Sequence, residues 1–111
     1  MTRFTEVLER LAATIDARRG ADPSTSWTAK LLADPALAAK KVGEEALETA
    51  LAAVQHDPGA IAVESADLIY HWLVLLAATG VPLSEVAAKL EAREGRSGLE
   101  EKAARQALEP K

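Results

Sequence analysis

Of the Asp-Pro pairs in this chain, the two at 34–35 and 57–58 constrain the fold more than any other feature. An aspartate that can cap a helix, followed by proline at the first helical position, is a strong helix start. A single glycine weakens the helical pattern after the first pair, and Gly80 ends the pattern after the second. We therefore predict long helices over roughly 35–56 and 57–79, and the short turn between them makes them antiparallel neighbours.

The remaining segments also have helical periodicity. Apolar residues at three- and four-residue spacing predict a first helix that ends before Gly20, a short helical stretch over 26–32, and a helix from Pro82 to about Glu94. A polar segment over 99–108 is predicted to form a short helical tail. No β-type alternation of apolar and polar residues competes with these patterns, so we expect an all-α bundle of four to five helices.

Length and composition limit the classes of protein that this chain can belong to. The 111 residues suit a single domain over 1–111, in which 95–111 forms a polar C-terminal tail. Hydrophobic residues make up 49% and charged residues 27%, a balance typical of a chain that folds. The net charge of −4 disfavours nucleic-acid binding, because contacts between basic side chains and phosphates supply most of that affinity.

The sequence also favours a cytoplasmic protein. It has no cysteine, which excludes disulfides and thiolate metal sites, and no basic-then-apolar signal pattern at its start. The longest nearly apolar run, 68–81, is interrupted by His71 and is shorter than the roughly 20 residues that a bilayer requires. We therefore expect no membrane partner. The helix over 57–79 is apolar nearly all round, which predicts that it is buried and that another chain helps to cover it.

Carboxylates are concentrated on the first of the two long helices. At about 100° per residue, Glu44, Glu45 and Glu48 occupy one arc of that helix, with Lys41 in the same arc. Taken alone, this pattern is equally well explained by an amphipathic helix with a solvated acidic face. In that case Lys40 and Lys41 form ordinary ion pairs with the glutamates of the following turn.

The second long helix favours a metal site over a solvated face. Its ionisable residues, Glu64, Asp67 and His71, lie on one stripe, and it has no lysine or arginine to pair with them. Burying unpaired carboxylates costs several kcal/mol each, so they need a proton, a basic partner or a cation. If the two acidic stripes face one another, five carboxylates line one cavity, and oxygen ligands without cysteine suit Mg²⁺. A di-iron site needs Glu-x-x-His pairs, which this chain lacks.

Three blocks of sequence resemble a known family. They are SWTAKLL at 26–32, KKVGEEA-x-E at 40–48, and E-x-x-D-L-x-Y-H at 64–71. Together they look like the phosphoribosyl-ATP pyrophosphohydrolase family, within the MazG-like all-α NTP pyrophosphatase superfamily. The resemblance covers essentially the whole chain. It implies hydrolysis of phosphoribosyl-ATP to phosphoribosyl-AMP and pyrophosphate in histidine biosynthesis, and a homodimer whose subunits share a helical bundle.

The resemblance also implies roles for individual residues. It assigns Mg²⁺ to five carboxylates: Glu44, Glu45, Glu48, Glu64 and Asp67. Glu45 and Glu48 are the candidates for the catalytic base, and the candidate phosphate ligands are Lys30, Lys40, Lys41 and Arg93. A second phosphate site could draw on Lys30, Arg93, Arg96 and Lys102. The alternatives are a MazG-like general nucleotide pyrophosphatase and a non-catalytic helical dimerisation module.

Two further side chains have competing interpretations. His71 is either a hydrogen-bonded core residue or a group that orients the Asp67 carboxylate. Trp27 is either a packing anchor beside a proline-containing loop, which we consider the better interpretation, or a platform for an adenine base.

Overall fold

The all-α fold is confirmed by a computed structural model of the chain, which describes residues 2–95 and 98–108. The described residues form six helices and no strand, and only the second helix is shorter than two turns. The helices are α1 (Arg3–Asp16), α2 (Trp27–Leu32), α3 (Pro35–Val54), α4 (Pro58–Thr79), α5 (Leu83–Glu91) and α6 (Gly98–Leu108).

Local capping explains where the two long helices begin and end. The side chains of Asp34 and Asp57 each accept a hydrogen bond from the main-chain N–H three residues later, and a proline follows each of them. Gly80 ends α4 in the left-handed conformation with φ of 76°, which glycine adopts without a steric penalty. The connection between α3 and α4 is short, and His56 has φ of 56° there.

The antiparallel α3–α4 pair is the centre of a unit that extends to Val81. Helices α1 and α2 pack against α4, and α2 also contacts α3. The largest fully buried side chains are Ile15 of α1, Leu31 of α2 and Val74 of α4, and α3 contributes the smaller buried residues Ala38 and Ala52. A second unit begins at Pro82 and contains α5, which has no buried residue, and α6.

Two polar contacts fix the smaller elements on α4. The hydroxyls of Thr28 and Tyr70 form a hydrogen bond that joins α2 to α4. The Arg19 guanidinium, in the turn after α1, donates to the main-chain oxygen of Ala77 at 2.8 Å. Each contact joins residues far apart in the sequence, so α1 and α2 are held at defined positions along α4.

Helix α4 is longer than the apolar run at 68–81, whose length predicts that it does not cross a membrane. The helix has 22 residues, and its most apolar window of 18 residues has a mean hydropathy of 1.5, which would allow it to cross a bilayer by length and composition alone. Three other helices pack against it, as expected for a core helix. Only 17% of its most apolar window is buried, however, and Val63 is 60% exposed. One copy of the chain therefore covers this helix only in part, and its cover by a second chain stays a prediction.

Candidate metal centre

Three carboxylates from the two long helices converge at one place. Glu45 and Glu48 of α3 and Glu64 of α4 each present one oxygen, and these oxygens lie within 4.8 Å of one another. Glu45 is only 7% exposed, because it shares the α4-facing stripe of α3 with the buried residues Ala38 and Ala52, at seven-residue spacing. A fully solvated acidic face is therefore excluded for Glu45.

The cluster contains buried carboxylate oxygens that have no hydrogen-bond partner in the described part of the chain. Within the described residues, the Oε2 atoms of Glu45 and Glu64 accept no hydrogen bond. Two negative charges 4.8 Å apart repel one another by about 3 kcal/mol at an effective dielectric constant near 20. Oxygens bound to one Mg²⁺ at roughly 2.0–2.1 Å lie about 3 to 4 Å apart, so the three oxygens suit a hard divalent ion after a small closure. Charge and geometry both fit a cation.

Two of the five predicted metal ligands lie outside this cluster. Glu44 is exposed and faces the lysines of the preceding turn, with distances of 3.9 Å to the Lys40 ammonium and 3.2 Å to that of Lys41. Asp67 is exposed on α4, one turn after Glu64. The structure thus brings together three of the five carboxylates and places the other two on adjacent turns of the same helices.

Lys41 of α3 forms ion pairs with both the exposed Glu44 and the buried Glu45. Its ammonium lies 3.2 Å from Glu44 and 3.5 Å from Glu45. The hydrogen bond to Glu44 is the main reason that the pKa of Lys41 is raised, and the charges of both glutamates act in the same direction. Lys41 therefore carries a positive charge at neutral pH and partly offsets the charge of Glu45. These are the ordinary helix pairs anticipated for the two lysines, and binding of phosphate by them stays a prediction.

His71 is a buried core residue and does not orient the Asp67 carboxylate. It is 8% exposed, and its Nδ1 lies 2.8 Å from the main-chain oxygen of Asp67. Because a carbonyl oxygen only accepts, Nδ1 carries the proton in this bond. Nε2 has no partner within the described residues. Of the two interpretations of His71, the hydrogen-bonded core residue is confirmed, and its contact with Asp67 is with the backbone.

The other predicted phosphate ligands lie on other elements of the chain than the two acidic helices. Lys30 is exposed on α2, and its ammonium lies 5.7 Å from the centroid of the Trp27 ring. Arg93, just after α5, and Lys102 of α6 belong to the second unit. Arg96 lies outside the described residues.

Comparison with known proteins decides the family. The model of the family described as phosphoribosyl-ATP pyrophosphohydrolase matches residues 8–94. The chain belongs to this family. The match includes both acidic helices, α2 with Lys30, and Arg93.

Relatives in the phosphoribosyl-ATP pyrophosphohydrolase family match nearly the whole chain. A phosphoribosyl-ATP pyrophosphatase of Caulobacter vibrioides is 69% identical over 103 residues, which are 93% of this chain and 96% of the relative. Proteins of the same name from Cereibacter sphaeroides and Parvibaculum lavamentivorans are 61% and 60% identical, over 89% and 88% of this chain and 97% and 91% of their own lengths.

Sequence reasoning missed two features around this site. The hydrogen bond between Thr28 and Tyr70 joins two of the blocks that carry the family resemblance, yet periodicity gives no sign of it. The expectation that Trp27 is a packing anchor is wrong, since the side chain is 46% exposed. A signal for this was present, because Trp27 directly follows Ser26, which caps α2, and a first helical residue easily points away from the core.

Proposed function

We propose that this chain hydrolyses phosphoribosyl-ATP to phosphoribosyl-AMP and pyrophosphate, the second step of histidine biosynthesis. The observation that carries this proposal is the 69% identity to a phosphoribosyl-ATP pyrophosphatase over 93% of the chain. The convergence of Glu45, Glu48 and Glu64 supports it, since such chemistry needs a site that holds cations near phosphates. The product and the substrate are both phosphorylated and do not cross membranes freely, so we place the enzyme in the cytoplasm.

The proposed cofactor is Mg²⁺, held by the acidic cluster. Glu45, Glu48 and Glu64 would bind it directly, and Glu44 and Asp67 on the neighbouring turns complete the proposed set. The support is the pair of buried carboxylate oxygens that have no partner within the described residues. When bound, Mg²⁺ would offset the charge of the phosphate oxygens and make the attacking water more acidic.

Side chains of the protein must accept a proton and bind the substrate. Hydrolysis adds a water oxygen to phosphorus as the bond between the α and β phosphates breaks, and the water gives up a proton. Glu48, the exposed member of the cluster, is open to water, and Glu45 is the second candidate base. The proposed phosphate ligands remain Lys30, Lys40, Lys41 and Arg93.

We also propose that the active form is a homodimer. The support is one apolar face of α3, where Leu47, Leu51 and Val54 are 61%, 49% and 73% exposed at helical spacing. Large apolar side chains exposed side by side mark a surface that another chain covers.

The activity is tested by measuring pyrophosphate release from phosphoribosyl-ATP beside ATP and GTP. We expect kcat/KM for phosphoribosyl-ATP to exceed that for either nucleotide by at least about a hundredfold, because the added ribose phosphate offers further charge-assisted contacts. Comparable turnover of all three would favour a general nucleotide pyrophosphatase. Absence of release from any of them would favour a non-catalytic dimerisation module.

A further inference from the structure

The first residue of α2 presents an aromatic ring to solvent. Trp27 is 46% exposed, whereas Ala29 and Leu31 of the same helix are 4% and 0% exposed. Ala29 and Leu31 therefore form the face of α2 that packs in the core, and Trp27 lies outside that face. Aromatic rings contribute most to binding when they lose their contact with water, so an exposed indole on an anchored helix is a candidate contact for a ligand.

The backbone at Trp27 is held by hydrogen bonds of the residues on both sides of it. The Ser26 hydroxyl accepts from the main-chain N–H of Ala29, which caps the helix start. The hydroxyl of Thr28, the residue after the tryptophan, bonds to that of Tyr70 on α4. Trp27 is thus held between two anchored residues, and a ligand that stacks on it does not have to order a loose loop.

The same hydrogen bond relates Trp27 to the carboxylate cluster. Glu64, Asp67 and Tyr70 follow one another at three-residue spacing, so they form one ridge along α4. Tyr70, at one end of this ridge, lies about 9 Å along the helix axis from Glu64. A nucleotide whose phosphates lie at the cluster can therefore extend along the ridge and direct its base towards α2.

We propose that Trp27 stacks on the adenine of phosphoribosyl-ATP and that Lys30 binds the phosphate of the ribose attached to that base. This assignment rests on the proposed function and names the part of the substrate that each residue recognises. The Lys30 ammonium already lies 5.7 Å from the indole centroid, on a flexible stem. It can therefore exchange a weak contact with the ring for a charge-assisted bond to a phosphate beside the stacked base.

Fluorescence of Trp27 tests the assignment without requiring turnover. Trp72→Phe leaves Trp27 as the single tryptophan. Adding the product phosphoribosyl-AMP should quench its emission at a concentration at least about tenfold lower than AMP does, because AMP lacks the second phosphate and so loses a charge-assisted contact. Lys30→Ala in the same background should reduce this difference, and the matched control Lys89→Ala, an exposed lysine of α5, should leave it unchanged.

Kinetics separate stacking from a structural role. Trp27→Leu, which keeps an apolar side chain but has no aromatic face, should raise KM for phosphoribosyl-ATP by roughly tenfold or more with a smaller change in kcat. Trp27→Phe should restore most of the loss, and equal losses in both variants would overturn stacking.

Two further outcomes would overturn the assignment. One is unchanged Trp27 emission at saturating phosphoribosyl-AMP in a protein that still releases pyrophosphate. The other is emission that responds to protein concentration and not to ligand, which would place the ring in a subunit interface. An unmodified protein that releases no pyrophosphate would instead overturn the proposed function, and this assignment with it.

Discussion

Glu48→Gln should reduce the turnover of phosphoribosyl-ATP by roughly 10²- to 10⁴-fold, the range over which a positioned acid or base contributes to a rate. Glutamine keeps the size and the helix propensity of glutamate and removes only the charge. The fold should be retained, and it should be slightly more stable without metal, because the repulsion on Glu45 and Glu64 falls. Pyrophosphate release at saturating Mg²⁺, with circular dichroism to confirm helicity, measures both effects.

The control for this variant is Glu9→Gln, at an exposed position of α1. It makes the same chemical change outside the cluster, so its activity should equal that of the unmodified protein. Activity of Glu48→Gln close to that of Glu9→Gln would contradict the assignment of Glu48 to the site.

Leu51→Glu should convert the dimer into monomers. Leu51 lies with Leu47 and Val54 on the exposed apolar face of α3, opposite the stripe that packs on α4. A glutamate there would bring an unpaired charge from each subunit into an apolar contact, and removing such a charge from water costs several kcal/mol. We expect the dissociation constant to rise by at least about a hundredfold. Sedimentation velocity from low to high micromolar concentration measures it.

Gln55→Glu provides the matched control, since it adds the same charge at an exposed polar position directly after α3. That variant should sediment as the unmodified protein does. A folded monomer of the unmodified chain at tens of micromolar would contradict the proposed dimer, and a Leu51→Glu dimer of unchanged affinity would contradict this face as its interface.

The helices could be predicted from the sequence because their signals are local. Asp34 and Asp57 act through a main-chain N–H only three residues away, and Gly80 acts through its own backbone conformation. No knowledge of the tertiary structure is needed for such signals. The prediction of helix positions was therefore correct to within a few residues at each end.

The arrangement of the site could be predicted only in part, because it depends on how α3 lies against α4. Spacing alone places Glu44, Glu45 and Glu48 on one arc and does not say which of them is buried. The contact between the helices buries Glu45. Glu44 stays exposed and forms ion pairs with the two lysines of the preceding turn. It also leaves Leu47 and Leu51 exposed, although the apolar pattern of α3 by itself would favour their burial.

Thermal unfolding in the presence of Mg²⁺ tests most directly whether the acidic cluster binds a cation. At 100 times its dissociation constant, a ligand stabilises the native state by about 2.7 kcal/mol, which raises the midpoint of a domain of this size by about 10 °C. The unmodified protein should show this increase over NaCl of equal ionic strength, and Glu45→Gln combined with Glu64→Gln should not. An equal increase in both proteins, or none in the unmodified protein, would contradict the metal site.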